Sequence, residues 1–327
     1  MREAHQTDFW IPTEILDFKI DEKGDYIFDF KNTERLIKLY LSLGFTHIEG
    51  PLFVKRLTWH HKDLLVNINN KRESVFSRDG YPFLVAFFTQ LYDFLITNNW
   101  FGIFSCHVAD EPSNHCADDY RILSGIIRKY MPGVKIIEAV EIPDLDGAVD
   151  IWVPKADVYI NNKNKFDSKR RFGDEIWFYT CMFPGGNYLN RFLDRELIRT
   201  RYLHWANFIY GLTGYLHWGL NIYQHAYNGD IFTGACSEEG RRLIDILPAG
   251  DTHILYPKNE KILRSARFEM MRAGCEDYEL LKLLEAQNPE KAKSIANKCI
   301  RSFTDYEKDI EIFENAHREL LESFNDF

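Results

Sequence analysis

The sequence predicts an α/β fold, and three observations favour a TIM-like (β/α)8 barrel within that class. From residue 30 onward, short β-rich runs alternate with longer amphipathic stretches, the pattern of βα units around a parallel sheet. The length of 327 residues suits one such barrel with an added segment. No Gly-rich phosphate loop follows an early strand, which argues against an open doubly wound sheet.

The elements alternate in order along the chain. The predicted strands are 46–49, 102–108, 134–140, 150–153, 175–182 and 215–219, with a seventh candidate at 9–15. The predicted helices are 32–43, 82–98, 118–130, 162–171 and 193–210. Gly44 and the pair Pro132-Gly133 stand where helices should end. Because seven strands fall one short of a closed barrel, we expect the barrel to be incomplete at its N-terminus.

Two further segments follow the last predicted strand. Residues 221–259 are too long for an ordinary connection unless they fold over a site. A final amphipathic helix is predicted from apolar positions at steps of three and four, and these are Ile295, Cys299, Phe303, Tyr306, Ile310, Phe313, His317, Leu320 and Phe324. We expect a barrel domain over 1–286 and a long C-terminal helix over 287–327 that packs on the barrel, with a dimer seam as the alternative.

Composition excludes several classes of partner. The formal net charge is −9 and no Lys/Arg stripe occurs, which argues against nucleic acid. No segment has the apolar length to cross a membrane, and the N-terminus has no export signal. We therefore expect no membrane partner and leave the compartment open: cytoplasmic by default, unless an upstream export signal is missing. The oligomeric state is also left open. Six scattered cysteines indicate reduced thiols rather than disulfides.

Two adjacent carboxylates, Asp110 and Glu111, stand where the strand 102–108 ends. Catalytic groups of parallel βα folds gather at such carboxyl ends of strands. Neighbouring residues of a regular strand point to opposite faces, so both acids can serve one cleft only if the strand breaks there. Pro112 favours a break and should bias Glu111 toward extended geometry. Capping of the following helix is the structural alternative.

Other strand ends carry side chains suited to sugars. Aromatic rings stack on the apolar face of a sugar, while amides and carboxylates bind its hydroxyl groups. The predicted substrate-binding residues are Glu49, Trp152, Tyr179, Trp218 and Asn221, for which packing in the core or rim is the alternative.

Four clustered residues, Cys106, His107, His115 and Cys116, are of types that bind zinc. Their spacing is poor, since Cys106 and His107 point to opposite faces of a strand. No G-x-S-x-G elbow occurs, and no cysteine has an evident base. We therefore predict no metal and no cofactor.

Several long segments resemble the catalytic region of glycoside hydrolase family 123 and the related domain of unknown function 4091. The resemblance runs from residue 9 to about residue 284 and depends chiefly on two long segments. The segments are WIP, GFTHIEG, ADEP, EIWFYTCMFP, RTRYLHWANFIYGLTGYLHWGLN and SARFEMMRAGCEDYELL, of which the last two are the most specific.

The resemblance implies a (β/α)8-barrel exo-glycosidase that releases terminal N-acetyl-β-hexosamines, in particular β-N-acetylgalactosamine. In that family the 2-acetamido oxygen of the substrate attacks the anomeric carbon, with net retention. An adjacent Asp-Glu pair assists, and the matching residues are Asp110 and Glu111. Glu111 would handle protons, and Asp110 would orient the acetamido group. The implied partner is a glycan.

Departures from the family pattern keep other interpretations open. Family members typically carry a β-sandwich and a first barrel unit before the point where this chain begins. An inactive or carbohydrate-binding remnant of the barrel is therefore the alternative function. A conventional two-carboxylate glycosidase, with Glu138 or Glu175 as the second acid, is a further alternative.

Overall fold

The fold was analysed in a computed structural model that describes residues 1–58, 61–223 and 247–324. Its central element is a sheet of six parallel strands in the order β1-β4-β7-β8-β9-β10. The strands are β1 (Asp8–Trp10), β2 (Asp17–Ile20), β3 (Tyr26–Asp29), β4 (His47–Glu49), β5 (Leu65–Ile68), β6 (Lys71–Ser74), β7 (Phe104–His107), β8 (Lys135–Val140), β9 (Ile151–Pro154), β10 (Glu175–Ile176), β11 (Phe178–Tyr179), β12 (Tyr215–Leu216), β13 (Leu255–Lys258) and β14 (Lys261–Arg264).

The sheet continues past β10 as a second parallel pair, β11 and β12. Tyr179 of β11 also bridges Lys155, the residue after β9, so β11 extends the line of β10. The predicted strand 175–182 is therefore two short strands, and the candidate 9–15 overlaps only the last two residues of β1. The three hairpins β2-β3, β5-β6 and β13-β14 are additions outside the parallel sheet.

The parallel strands form a curved arc. Residues from the amino-terminal ends of seven strand positions, from Thr7 before β1 to Thr213 before β12, line one cavity of about 220 Å³. A flat sheet could not bring both of its edges to one small cavity. Within the described residues β12 does not pair with β1, so the barrel-like arc is seen but a closed eight-stranded barrel is not.

Helices pack against the outer face of the arc and form most of the main core. They are α1 (Lys31–Ser42), α2 (Gly80–Thr97), α3 (Ala117–Tyr130), α4 (Ala156–Asn161), α5 (Lys163–Lys169), α6 (Ile198–Tyr210), α7 (Ala266–Gln287), α8 (Pro289–Cys299) and α9 (Ile310–Glu322). The predicted helices 32–43, 82–98 and 118–130 agree with α1 to α3, whereas 162–171 covers α5 and misses α4, which ends at Asn161. No helix of the described residues is long and apolar enough to span a bilayer.

A smaller core fills the inner face of the arc. It contains Ile137, Ala139, Ile151, Val153 and Tyr179, which alternate along their strands with residues of the main core. The inner face is thus apolar along the strands, and polar side chains lie at the carboxyl ends of the strands.

The single long C-terminal helix predicted from the apolar seam is wrong. The chain turns between α8 and α9, where Ile300 and Tyr306 form an antiparallel bridge. The spacing persists through the turn because Phe303 and Tyr306 are themselves buried in the main core. Most of the seam is therefore internal packing and is not available to a second chain. The division at residue 286 stays a prediction.

The two most specific segments of the sequence pack against each other as α6 and α7. Asp277 of α7 accepts hydrogen bonds from Arg201 at 2.6 and 2.8 Å and from the Trp205 indole at 2.8 Å. His317 of α9 lies 3.0 Å from the same carboxylate. Gly274 allows the close approach, since a Cβ there would lie 2.5 Å from the Arg201 carbonyl oxygen. One buried acid therefore joins three helices.

Replacement of Asp277 by alanine should destabilise the fold strongly. The side chain is buried, and its loss leaves the Arg201 charge and the Trp205 donor without their acceptor. We expect the free energy of unfolding, measured by urea denaturation, to fall by about 3–5 kcal/mol. The exposed Glu279, on the same helix, provides the control Glu279→Ala, for which a change within about 0.5 kcal/mol is expected. Equal losses in the two variants would contradict this assignment.

Candidate active site

The strand β7 ends abruptly at His107, and its end is held by Glu138 of the neighbouring β8. The buried Glu138 carboxylate accepts hydrogen bonds from the backbone N–H of Val108 at 3.2 Å and of Ala109 at 3.0 Å. The Tyr120 hydroxyl donates to the same oxygen, Oε2, at 2.9 Å. These N–H groups would otherwise continue the ladder, so Glu138 terminates the strand with its buried donors satisfied.

The acid pair follows at once in left-handed backbone, with φ of 34° at Asp110 and 50° at Glu111. Such conformations cost non-glycine residues roughly 1–3 kcal/mol each and cluster at functional sites. The prediction that Pro112 would hold Glu111 extended is therefore wrong, although the predicted break is present. The local proline preference is overridden by a tertiary contact from Arg56.

Arg56 holds the strained backbone from the other side. Its Nη2 donates to the carbonyl oxygen of Asp110 at 2.7 Å and to that of Glu111 at 2.8 Å. A guanidinium presents several donors in one rigid plane, which suits two adjacent carbonyls. We call Glu138 and Arg56, with the backbone they hold over residues 108–111, the strand-end clamp.

His107 lies between two carboxylates at the base of the clamp. Its Nδ1 is 3.0 Å from Glu49 Oε1, and its Nε2 is 3.0 Å from Glu138 Oε1. Burial acts to lower the pKa of His107, but Glu138 and then Glu49 outweigh burial and hold the pKa well above its usual value. The ring is thus an imidazolium cation, and its Nε2 also lies 3.9 Å from Asp110 Oδ1.

Glu111 lies in a different environment, beside Lys155 at the end of β9. The Lys155 ammonium is 3.8 Å from Glu111 Oε1 and 3.0 Å from Glu141 Oε1. Burial raises the pKa of Glu111 to about 7; Lys155 opposes this shift and the Asp110 charge adds to it. The pKa of Asp110 is also raised by burial, with the His107 cation opposing the shift. Glu111 can therefore exchange a proton near neutral pH, the property of a general acid and base.

Tyr179 and Trp218, two of the predicted sugar contacts, lie further along the arc, in β11 and shortly after β12. Tyr179 is buried beside Lys155, and its hydroxyl has no hydrogen-bond partner among the described residues. The Trp218 ring is 40% exposed, and its indole N–H donates to Asp251 at 3.2 Å. An orphaned hydroxyl and an exposed ring are groups that a bound sugar could engage.

The loop that carries Asp251 is fixed by the buried Arg191. The Arg191 guanidinium donates to the carbonyl oxygens of Gly250 and Asp251, each at 2.8 Å, and to that of Gly219. Burial lowers the pKa of Arg191 to about 10, so the group remains a cation.

The other three predicted sugar contacts, Trp152, Glu49 and Asn221, lie in different surroundings. Trp152 is a correction: it is fully buried on the outer face of the arc, where its indole donates to Asp174 at 2.8 Å, so it cannot reach the cleft. Even one residue of register decides the face of a strand side chain. Glu49 is at the site, but its carboxylate faces His107. Asn221 is exposed and bridges His253. The loop prediction 221–259 falls mainly on residues 224–246, outside the described residues.

The sequence left open a second catalytic carboxylate at Glu138 or Glu175, and helix capping as the role of Asp110 and Glu111. Glu138 cannot act as a second catalytic carboxylate, because its side chain is fully buried and both oxygens have partners. Glu175 lies at the opposite, amino-terminal ends of the strands, 3.1 Å from Lys135. The N-cap position of α3 is Cys116, and its side chain accepts no hydrogen bond from the first turn of the helix. The acid pair lies before this position and does not cap the helix.

A metal could be considered at His107, Asp110 and Glu138, whose ligand atoms lie within 4.8 Å of one another. Glu138 Oε2 already accepts three hydrogen bonds, and Oε1 faces His107 Nε2 at 3.0 Å. A proton between those two atoms satisfies both, and we assign the group as an ion pair. Of the residues considered for zinc, Cys106 lies in the main core.

Sequence reasoning missed Arg56, Lys155 and the role of His107. Lys155 could have been found, since it directly follows a strand and the carboxyl-end rule applies to it. Arg56 gave no signal, because it binds backbone carbonyls across 54 residues of sequence. His107 was noticed only as a possible ligand, and its two carboxylate partners come from other strands.

The class of protein is given by sequence comparison, which identifies this curved parallel sheet with its acid pair at a strand end as a glycoside hydrolase catalytic domain. The sequence model of the glycoside hydrolase 123 catalytic domain matches residues 1–284. The chain therefore belongs to glycoside hydrolase family 123.

Comparison of structures agrees at the level of the fold. A family 123 glycoside hydrolase from Clostridium perfringens, described in connection with glycolipid glycan hydrolysis, superposes with a TM-score of 0.69 at 16% identity. The alignment covers 95% of this chain and 57% of that enzyme. A search of curated proteins found no match. The resemblance to glycoside hydrolase family 123 found in the sequence is therefore confirmed.

Replacement of Glu138 by alanine should destabilise the protein even though Glu138 touches no substrate in this account. Three donors and the His107 cation would lose a buried partner. We expect the free energy of unfolding to fall by about 3–5 kcal/mol. The control is Asp144→Ala, which removes a surface ion pair with Lys165 and should cost about 0–1 kcal/mol. A loss in Glu138→Ala no larger than in the control would show that the clamp is not buried.

Proposed function

We propose that this chain is a retaining exo-glycosidase that removes terminal N-acetyl-β-hexosamines, in the first place β-N-acetylgalactosamine, by substrate-assisted catalysis. Asp110 and Glu111 are the catalytic residues, and no enzyme nucleophile is used. Tyr179 and Trp218 contact the sugar. We further propose that residues 1–286 form the catalytic unit and that 287–327 pack on it, since the family match ends at residue 284.

In the first step Glu111 is protonated and donates its proton to the glycosidic oxygen. The bond from the anomeric carbon to that oxygen breaks, and the leaving group departs as a neutral alcohol. The acetamido carbonyl oxygen of the substrate forms the new bond to the anomeric carbon and gives an oxazolinium ion. The Asp110 carboxylate accepts a hydrogen bond from the acetamido N–H and stabilises the positive charge that develops.

In the second step the Glu111 carboxylate takes a proton from water while the water oxygen bonds to the anomeric carbon. The bond to the acetamido oxygen breaks, which restores the acetamido group and releases the sugar with its original configuration. Glu111 is protonated again, so the cycle is closed with no other reactant than water.

The observation that supports this proposal most directly is the unequal environment of the two adjacent acids. Burial raises the pKa of both acids, to about 7 for Glu111, and the rise is opposed by the His107 imidazolium at Asp110 and by Lys155 at Glu111. One acid is thus suited to remain an anion and the other to transfer protons. The nearby Glu49 and Glu138 are engaged by His107, so the conventional second carboxylate has no candidate among these groups.

Hydrolysis of a chromogenic N-acetyl-β-galactosaminide tests the proposal. We expect turnover of this substrate and none of the unacetylated galactoside. Glu111→Gln should lower kcat/KM for it by about 10²–10⁴-fold, and Asp110→Asn by about 10²–10³-fold. Lys71→Ala, an exposed change on the β5-β6 hairpin, is the control and should leave the rate unchanged.

Turnover of the unacetylated galactoside at a similar rate would contradict substrate assistance. A folded protein with no turnover of any acetamido glycoside, but with binding of the free sugar, would instead indicate the non-catalytic alternative.

The pH dependence of kcat/KM follows from the two shifted carboxyl groups. Glu111 must be protonated, so activity should fall above about pH 7, and Asp110 must be ionised, so activity should also fall at acid pH. Lys155 lowers the pKa of Glu111, so Lys155→Met should move the basic limb to higher pH. Glu141 raises that pKa, so Glu141→Gln should move the limb to lower pH. Shifts in the same direction would contradict the role of Glu111.

A further inference from the structure

A cavity of about 420 Å³ lies past the carboxyl ends of β1 and β4, and one residue of its lining, Arg56, contacts the backbone of the acid pair. One wall comes from Thr13, Glu14 and Leu16, which follow β1. Another comes from residues that follow β4, and these are Leu52, Phe53, Lys55, Arg56 and Leu57. The hairpin β5-β6 supplies the third wall. Since β4 is the neighbour of β7, this cavity borders the loop that carries the catalytic residues. Its size is within the range of small-molecule sites.

Arg56 connects the cavity to the catalytic pair. Its side chain lines the cavity, and its Nη2 donates to the carbonyl oxygens of Asp110 and Glu111. The cavity is therefore no further from the acid pair than the length of one arginine side chain. A ligand in the cavity would contact the same side chain that holds the catalytic backbone.

The lining of the cavity is cationic at the rim and aromatic at the floor. Lys55 and Arg72 are exposed, and neither forms an ion pair with a described residue. With Arg56 they place three cations against one acid, Glu14.

The rim and the floor are both held in place. The Lys55 backbone is bridged to Leu65 at 2.8 and 2.9 Å, which fixes the base of its side chain. The floor includes Phe18, Phe53 and Phe83. The ring centroid of Phe83 lies 5.1 Å from that of Phe18 and 5.9 Å from that of Phe53.

We propose that this cavity binds the leaving-group side of the glycan and selects an acidic sugar there, one that carries a carboxylate or a sulfate. Lys55 and Arg72 bind the anionic group, and the aromatic floor packs against the apolar face of the sugar ring. The inference rests on the proposed glycosidase function and adds the substrate class. Charge is the basis for the choice, because an anionic group would form ion pairs with the two exposed cations at the rim, which a neutral sugar cannot do.

The test compares three disaccharides in which N-acetyl-β-galactosamine is linked to galactose, to glucuronate or to galactose 6-sulfate. We expect kcat/KM to be about tenfold higher for an acidic disaccharide than for the neutral one, chiefly through KM, and the better acid identifies the anionic group. The double variant Lys55→Ala/Arg72→Ala should lose this preference. Lys71→Ala, on the same hairpin but outside the cavity, should keep it. Equal kcat/KM values for all three substrates in the wild-type protein would overturn the inference.

Failure of the proposed function is recognised separately, because it would abolish hydrolysis of every substrate, the chromogenic one included. In that case the cavity is tested without turnover, by calorimetric titration of glucuronate and galactose 6-sulfate. Binding that is about tenfold weaker in Lys55→Ala/Arg72→Ala than in Lys71→Ala would support the cavity as an acidic-sugar site. Equal binding, or none, would overturn it.

Discussion

The strand-end clamp is the interaction on which the site depends. A parallel strand that continued past His107 would send neighbouring side chains to opposite faces. The clamp prevents this by giving the next backbone N–H groups to Glu138 and the carbonyls of the acid pair to Arg56. Two consecutive left-handed residues are tolerated there because buried and charged hydrogen bonds hold them on both sides.

The same arrangement solves an electrostatic problem. Four carboxylates, Glu49, Asp110, Glu111 and Glu138, gather on or just after three neighbouring strands, and their mutual repulsion would leave several of them neutral. The His107 imidazolium lies between Glu49 and Glu138 and keeps both paired. Asp110 Oδ1 lies 3.9 Å from this cation, and Glu111 Oε1 lies 3.8 Å from the Lys155 ammonium. The two adjacent acids therefore face different cations, one at the end of β7 and one after β9.

Much of the fold could be predicted from sequence because its signals are local. Helix stops such as Gly44 and the alternation of strands and helices depend on a few neighbouring residues. The acid pair was found because a proline follows two acids at a strand end. The closed barrel remains a prediction, since the described residues show an arc in which β12 and β1 are not paired.

The errors arose where distant contacts override local preference. Arg56 overrides the extended preference of a residue before proline, and a turn interrupts an apolar spacing that looks continuous as one helix. The outward direction of Trp152 depends on the register of β9 with its neighbours, which spacing alone did not establish. His107 and Lys155 gain their roles only when strands distant in sequence become neighbours, so no short motif announces them.

A crystal structure with a cyclic thiazoline analogue of the oxazolinium ion would test the proposed division of work between Asp110 and Glu111. We expect the Asp110 carboxylate to lie about 3 Å from the thiazoline nitrogen, with Glu111 on the side where the leaving oxygen or water would stand. A complex in which the thiazoline nitrogen contacts neither acid, or in which Asp110 and Glu111 face different cavities, would contradict the account.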